Sequence, residues 1–254
     1  MRTILILLVL ALFFIISLPV YLILLLFRKK YRYTTSVIAQ KIVKYAFKLV
    51  LFFTGTKTIV LGIENVPTDT AVLYVSNHRS ILDIPLAYST LPTVTGFIAK
   101  IEVQKIPFLS WWMKLVNCLF LDRDDMRAGM KTILSGIENI KEGYSMFVAP
   151  EGTRNHEEEM LPFKEGSFKM AHKTNCPVIP VAISGSDDLF ENSFPWVKKA
   201  VTVIEYGQPI YPDTLSPEER KILGVLSRNI IAEMLKGHKL YIAGNPSQCK
   251  KQYK

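Results

Sequence analysis

The sequence predicts an α/β fold: a single domain with a mostly parallel central sheet flanked by helices, preceded by an N-terminal membrane-embedded two-helix segment. Three observations predict it. After Lys57, short apolar runs rich in β-branched residues alternate with helical stretches, which is the pattern of a parallel sheet with helical crossovers. Residues 4–27 form a nearly unbroken apolar run. The positive charge is confined to one end of the chain.

The N-terminal run departs from aliphatic or Phe character only at Ser17, Pro19 and Tyr21. As a helix it is roughly 36 Å long, enough for a hydrocarbon layer of about 30 Å. It is too long for a signal-peptide core, lacks a small-residue cleavage site, and is followed at once by Arg28, Lys29 and Lys30 as a stop signal. Whether it crosses the bilayer or lies in one leaflet, with a bend at Pro19, is left open by hydropathy. The cluster from Arg28 to Arg32 favours the cytoplasmic side in either case, at the inner (plasma) membrane with the following domain in the cytosol. Residues 36–54 give a second helix with Lys41, Lys44 and Lys48 on one face. It is expected to lie in the lipid interface with its lysines among headgroups, the alternative being a helix packed on the following domain.

Charge placement excludes one class of partner. Residues 1–63 hold nine basic side chains and no acidic one, leaving 22 basic against 22 acidic over the remainder. A nucleic-acid protein would spread its basic excess over the folded domain, so no nucleic acid is expected as partner. With 254 residues, 49% of them apolar, the chain can bury one sizeable core. The organisation expected is membrane-anchoring helices over 1–56 and one folded domain over 57–254. Cys118, Cys176 and Cys249 have no ligand spacing and read as reduced thiols. Strands are expected at 58–62, 71–76, 95–99, 118–121, 145–149, 178–183 and 200–206, and helices at 80–90, 107–116, 127–141, 165–175 and 216–237. In this architecture reactive groups gather beyond the strand carboxyl ends.

Four blocks follow or form such strands. In the first, His78 sits at a strand-to-helix turn and Asp83 in the first turns of the next helix. The carboxylate can fix the imidazole tautomer and leave the other ring nitrogen as a base, as an attacking alcohol requires; a hydrogen-bonded structural pair is the alternative. In the second, Arg123 follows an apolar strand and can hold phosphate bidentately, unless it pairs with Asp122, Asp124 or Asp125. The third is Glu151-Gly152-Thr153-Arg154. Here Gly152 permits close backbone approach, Arg154 offers a second phosphate contact and Glu151 can hold a basic group or a glycerol hydroxyl, the alternative being a tight turn with incidental charges. The fourth, Val178-Ile179-Pro180-Val181, carries no proton or charge chemistry and shapes a pocket wall or a plain core strand. Lys100, at a strand end, is a further candidate phosphate contact.

Taken jointly, the blocks resemble the glycerolipid acyltransferase family, specifically the 1-acylglycerol-3-phosphate O-acyltransferases. Asn77, His78 and Asp83 match the family's NHxxxxD, Phe120 to Arg123 its strand ending in Arg, and Glu151 to Arg154 its EGTR; the likeness covers about residues 60–210. Phe163 to Gly166 and Cys176 to Val181 are similar to later family segments. The resemblance implies that His78 is the base and Asp83 its partner, and that Arg123, Glu151, Gly152, Thr153 and Arg154 bind the glycerol phosphate. It implies transfer of an acyl group from acyl-CoA or acyl carrier protein to lysophosphatidic acid at the phospholipid bilayer, with no cofactor and no metal. One departure stands out: where family members often carry Gly ahead of the second-block strand, this chain has Asn117 and Cys118.

Rival readings are an acyltransferase for another lysolipid, a phosphatase, and a non-catalytic lipid-binding protein. Against the phosphatase, the acidic run after His156 lacks a second His at metal spacing and reads as a solvated loop.

Overall fold

The computed structural model describes residues 1–157 and 159–242. Cys249, Glu158 and the end of the predicted second region lie outside them.

Two long helices come first, α1 (Arg2–Phe27) and α2 (Arg32–Thr54). Gly55, with φ 72°, ends α2 in a left-handed cap. The order then runs β1 (Lys57–Leu61), β2 (Leu73–Ser76), α3 (Asp83–Thr90), β3 (Thr95–Lys100), α4 (Leu109–Leu115), β4 (Leu119–Leu121), α5 (Met126–Lys141) and β5 (Ser145–Val148). It closes with α6 (Lys169–Thr174), β6 (Val178–Ser184), β7 (Val201–Tyr206), α7 (Pro217–Lys221) and α8 (Leu223–Ile242).

All seven strands occupy the apolar runs predicted for them and form one sheet, in the order β1-β7-β6-β2-β5-β3-β4. The five strands from β6 to β4 are parallel; β7 runs antiparallel to β6 and parallel to β1. Alternation along the strands feeds two cores. Tyr74, Phe97, Phe147 and Ile179 face the side covered by α2, α3 and α4, while Leu73, Val75, Met146 and Val148 face α5, α6 and α8. On the first side the rings of Phe97 and Phe147 stack at 4.5 Å, an arrangement worth about 0.5–1.5 kcal/mol beyond area burial. The predicted helix over 216–237 is two: Ser216 and Glu219 form a capping box for α7, and α8 starts beyond Ile222.

The N-terminal helices are part of this packing. Leu24, Ala39 and Leu51 belong to the same buried cluster as Tyr74 and Leu86. Phe13 and Tyr21 of α1 lie against Trp112 and Trp111 of α4. Gln40 of α2 donates to the Thr93 carbonyl and accepts the Thr95 amide at the start of β3. The expectation of lysines among headgroups is therefore corrected at Lys44: its ammonium donates to the Leu91 carbonyl at 2.9 Å, closing the end of α3, because α2 lies on the domain. Lys41 and Lys48 are exposed. In contrast α1 keeps much of its apolar surface uncovered; at 26 residues it is long and apolar enough to cross a membrane.

Candidate active site

The carboxyl ends of the parallel strands gather the predicted residues along one edge of the sheet. His78 follows β2, Glu151 to Arg154 follow β5, Lys100 ends β3 and Arg123 follows β4. The order of strands sets their spacing: β5 neighbours β2, whereas β4 is three strands away, about 14 Å at the usual interstrand step.

The His78 loop is built from backbone and buried polar contacts. Asn77, at the end of β2, donates its side-chain amide to the Ile183 carbonyl and accepts the Ile183 amide, locking β2 to β6. His78 Nδ1 lies 2.9 Å from Asp83 Oδ2. That same oxygen accepts the backbone amides of Arg79 and Ser80 at 2.8 and 2.9 Å, so it acts as a carboxylate acceptor and the ring nitrogen facing it is the N–H. Nε2 then carries the lone pair. The carboxylate has 4% of its side chain exposed and the imidazole 19%, so solvent reaches the ring and hardly its partner. Asp83 Oδ1 is buried without a hydrogen-bond partner. Ser80, two residues after His78, is fully buried and accepts the Leu82 amide.

Glu151 requires a correction. Its carboxylate, expected to contact substrate, is 3% exposed. One oxygen accepts the His78 amide and the other the Leu161 amide, each at 2.9 Å. With both oxygens committed to backbone donors, Glu151 braces the His78 loop against the chain beyond Arg154; the Asn155 amide, which donates to the His78 carbonyl at 2.8 Å, adds a second tie. Glu151→Gln turns one acceptor into a donor facing an N–H. It is expected to cost about 1–3 kcal/mol, seen as a lower thermal midpoint of the solubilised protein; an unchanged midpoint would return Glu151 to a substrate contact.

Gly152 has φ 79°, and a Cβ there would meet Lys164 Nζ at 2.8 Å, so the turn needs Gly and brings an unforeseen ammonium to the third block. Thr153 and Arg154 are exposed. Arg154 lies 3.3 Å from Glu191, whose same oxygen accepts the Ile81 amide and whose other oxygen is buried without a partner. Arg79 pairs with Asp187 at 2.9 Å. Lys100 pairs with Glu102 at 2.7 Å. Arg123 is exposed, and among the described residues no salt bridge occupies it. The structure thus brings together His78, Asp83, Glu151 and Arg154, with Lys100 and Arg123 farther along the same edge and not bonded to that cluster.

Where the second block lacks the family's Gly, Asn117 adopts φ 59°, a left-handed conformation that Asn tolerates better than most side chains. A Cβ on Gly96 of β3 would meet the Asn117 carbonyl at 2.2 Å, so the close approach survives with the small residue on the neighbouring strand. Burial pushes the Cys118 thiol up to about 12 and the Cys176 thiol to about 11; both are free and buried, poor settings for a nucleophile. Among the described residues no group of three or more His, Cys, Asp or Glu could hold a metal ion.

Comparison with known proteins bears on the family and the fold. The acyltransferase family model matches residues 57–184. A 1-acyl-sn-glycerol-3-phosphate acyltransferase of Saccharomyces cerevisiae is 31% identical over 178 residues, covering 69% of this chain and 57% of that protein. The chloroplastic 1-acyl-sn-glycerol-3-phosphate acyltransferase BAT2 of Brassica napus is 40% identical over 131 residues, 51% of this chain and 38% of that one. This chain therefore spans well under two thirds of either relative. The crystal structure of the 1-acyl-sn-glycerophosphate (LPA) acyltransferase PlsC from Thermotoga maritima superposes with a TM-score of 0.67 at 30% identity, covering 92% of this chain and 98% of that chain.

Proposed function

The chain belongs to the acyltransferase family, and from that premise we propose that it moves a fatty acyl group from an acyl thioester to the sn-2 hydroxyl of 1-acyl-sn-glycerol 3-phosphate, making phosphatidic acid. The observation that carries the reading is the His78–Asp83 contact at 2.9 Å beside the Glu151 to Arg154 turn, because it leaves an imidazole lone pair on the accessible ring nitrogen. The acceptor hydroxyl gives its proton to His78 Nε2 as its oxygen bonds to the thioester carbon. The carbon–sulfur bond then breaks, and the imidazolium returns the proton to the leaving thiolate of coenzyme A or acyl carrier protein. No covalent acyl-enzyme is needed, consistent with the burial of Ser80, Cys118 and Cys176. Arg154 takes the acceptor's phosphate, with Arg123 and Lys100 as further cations on the same edge. The exposed apolar face of α1 and the basic run Arg28, Lys29, Lys30 and Arg32 support a membrane location with the sheet on the cytoplasmic side.

The test is an assay of the purified full chain with lysophosphatidic acid and an acyl thioester, with mass detection of the lipid product. Phosphatidic acid is expected; acylation of a different lysolipid alone would reject the acceptor, and no acylation would reject the reaction. Arg154→Ala is expected to raise the KM for lysophosphatidic acid about tenfold or more, the loss of a charge-assisted hydrogen bond, with kcat little changed. An unchanged KM would leave Arg154 only its pairing with Glu191.

A further inference from the structure

A cleft of about 420 Å³ opens where the end of α1 and the start of α2 meet the domain, lined by Tyr21, Arg28, Arg32, Trp111, Lys114 and Asn117 among others. It is separate from the acceptor site. Asn117 precedes β4 and Arg123 follows it, so the cleft lies at the amino ends of the parallel strands and His78 at their carboxyl ends.

Its charge is unbalanced. Arg32 is paired with Glu142, but Arg28 is half-buried with only a long 3.5 Å contact from its guanidinium to the Asn117 side-chain oxygen. Among the described residues neither Arg28 nor Lys114 has a carboxylate partner. Burial first, and the Arg32 charge second, disfavour the charged form of Arg28; an anion in the cleft would relieve both. Even a half-buried cation gains from a counter-charge, and a guanidinium matches phosphate geometry. The lining is in part apolar: Leu25 of α1 is exposed and borders the cleft, and the Trp111 ring stacks on Tyr21 at 5.8 Å, the amphipathic pair typical of a membrane–water boundary.

We propose that this cleft holds the phosphate headgroup of an anionic membrane phospholipid, its acyl chains lying along the exposed face of α1. The phosphate sits between Arg28 and Lys114, with Arg32 contributing through its field, so that one lipid fastens the hairpin of α1 and α2 to the domain. Tyr21, Leu25 and Trp111 beside the cations favour a lipid over a free phosphate ion, which would use the cations alone.

The test titrates the detergent-solubilised full chain with dihexanoyl phosphatidylglycerol, reading tryptophan fluorescence. Saturable binding is expected, with Kd raised about tenfold or more in the double variant Arg28→Gln, Lys114→Gln. Two controls keep this decisive. Lys29→Gln, Lys30→Gln removes the same charge from exposed positions just outside the cleft and should move Kd by less than about twofold. Arg28→Lys, Lys114→Arg keeps the charge and should recover most of the affinity, separating lost contacts from lost folding. Equal weakening by both Gln pairs would reduce the effect to diffuse attraction and overturn the site, as would equal affinity for dihexanoyl phosphatidylcholine. Inorganic phosphate saturating the same signal at the lipid's own concentration would overturn the lipid as occupant.

Discussion

Replacing His78 with Ala is expected to lower kcat by about 10²- to 10⁴-fold, with the protein still folded and still recovered with membranes. The ring is the only part of His78 that the substitution removes. The His78 amide donates to Glu151 and its carbonyl accepts from Asn155, and both contacts persist with Ala, so the loop keeps its course. The imidazole belongs to neither buried cluster, so little packing is lost. Because the phosphate contacts proposed for Arg154 and its neighbours are untouched, KM for the acceptor should stay within a few-fold, and a single-turnover experiment should locate the defect in acyl transfer. A variant retaining near-normal kcat would require another base.

The division between what the sequence revealed and what it did not follows the range of the interactions. Strand runs such as 145–149 were legible because a short continuous apolar run, buried on both faces, is a local signal, and His78 with Asp83 because both fall within one strand-to-helix turn. The antiparallel return of β7 was less so: the link between β6 and β7 holds only short 3-10 turns at Asp187–Leu189 and Glu191–Ser193, and without a crossover helix the chain turns back beside β6. Lys44 and Glu151 were misassigned for a shared reason. A Lys in an amphipathic helix and a Glu in a loop suit solvent or ligand equally well, and only tertiary approach brings the Leu91 carbonyl to one and two backbone amides to the other. Glu191 and Asp187 escaped altogether. They join the site through Arg154, Ile81 and Arg79, partners distant in sequence, and no spacing signals such a meeting.

Asp83→Asn is expected to lower kcat by a comparable 10²- to 10⁴-fold, roughly the effect of disturbing a carboxylate–imidazole pair, while leaving KM for the acceptor nearly unchanged. The carboxamide has two ways to sit. If its oxygen keeps the place of Oδ2, the amides of Arg79 and Ser80 remain satisfied, but the new NH2 group occupies the position of Oδ1, which has no partner. The imidazole then accepts the alcohol proton without a facing negative charge, and the developing imidazolium is less stabilised. If the amide flips, its NH2 faces both backbone donors and His78 Nδ1, which forces the ring lone pair toward Asp83 and the N–H toward the substrate. In that tautomer the accessible nitrogen cannot act as a base. Either arrangement slows the chemical step, and since Asp83 is 3% exposed neither touches the acceptor. The two are separable by imidazole ¹⁵N shifts, which should report Nδ1–H in the native protein and reveal any change of tautomer in the variant. A kcat within about threefold of the native value would mean that Asp83 serves the turn alone, through its backbone contacts, and that the charge behind the imidazole contributes little to the reaction.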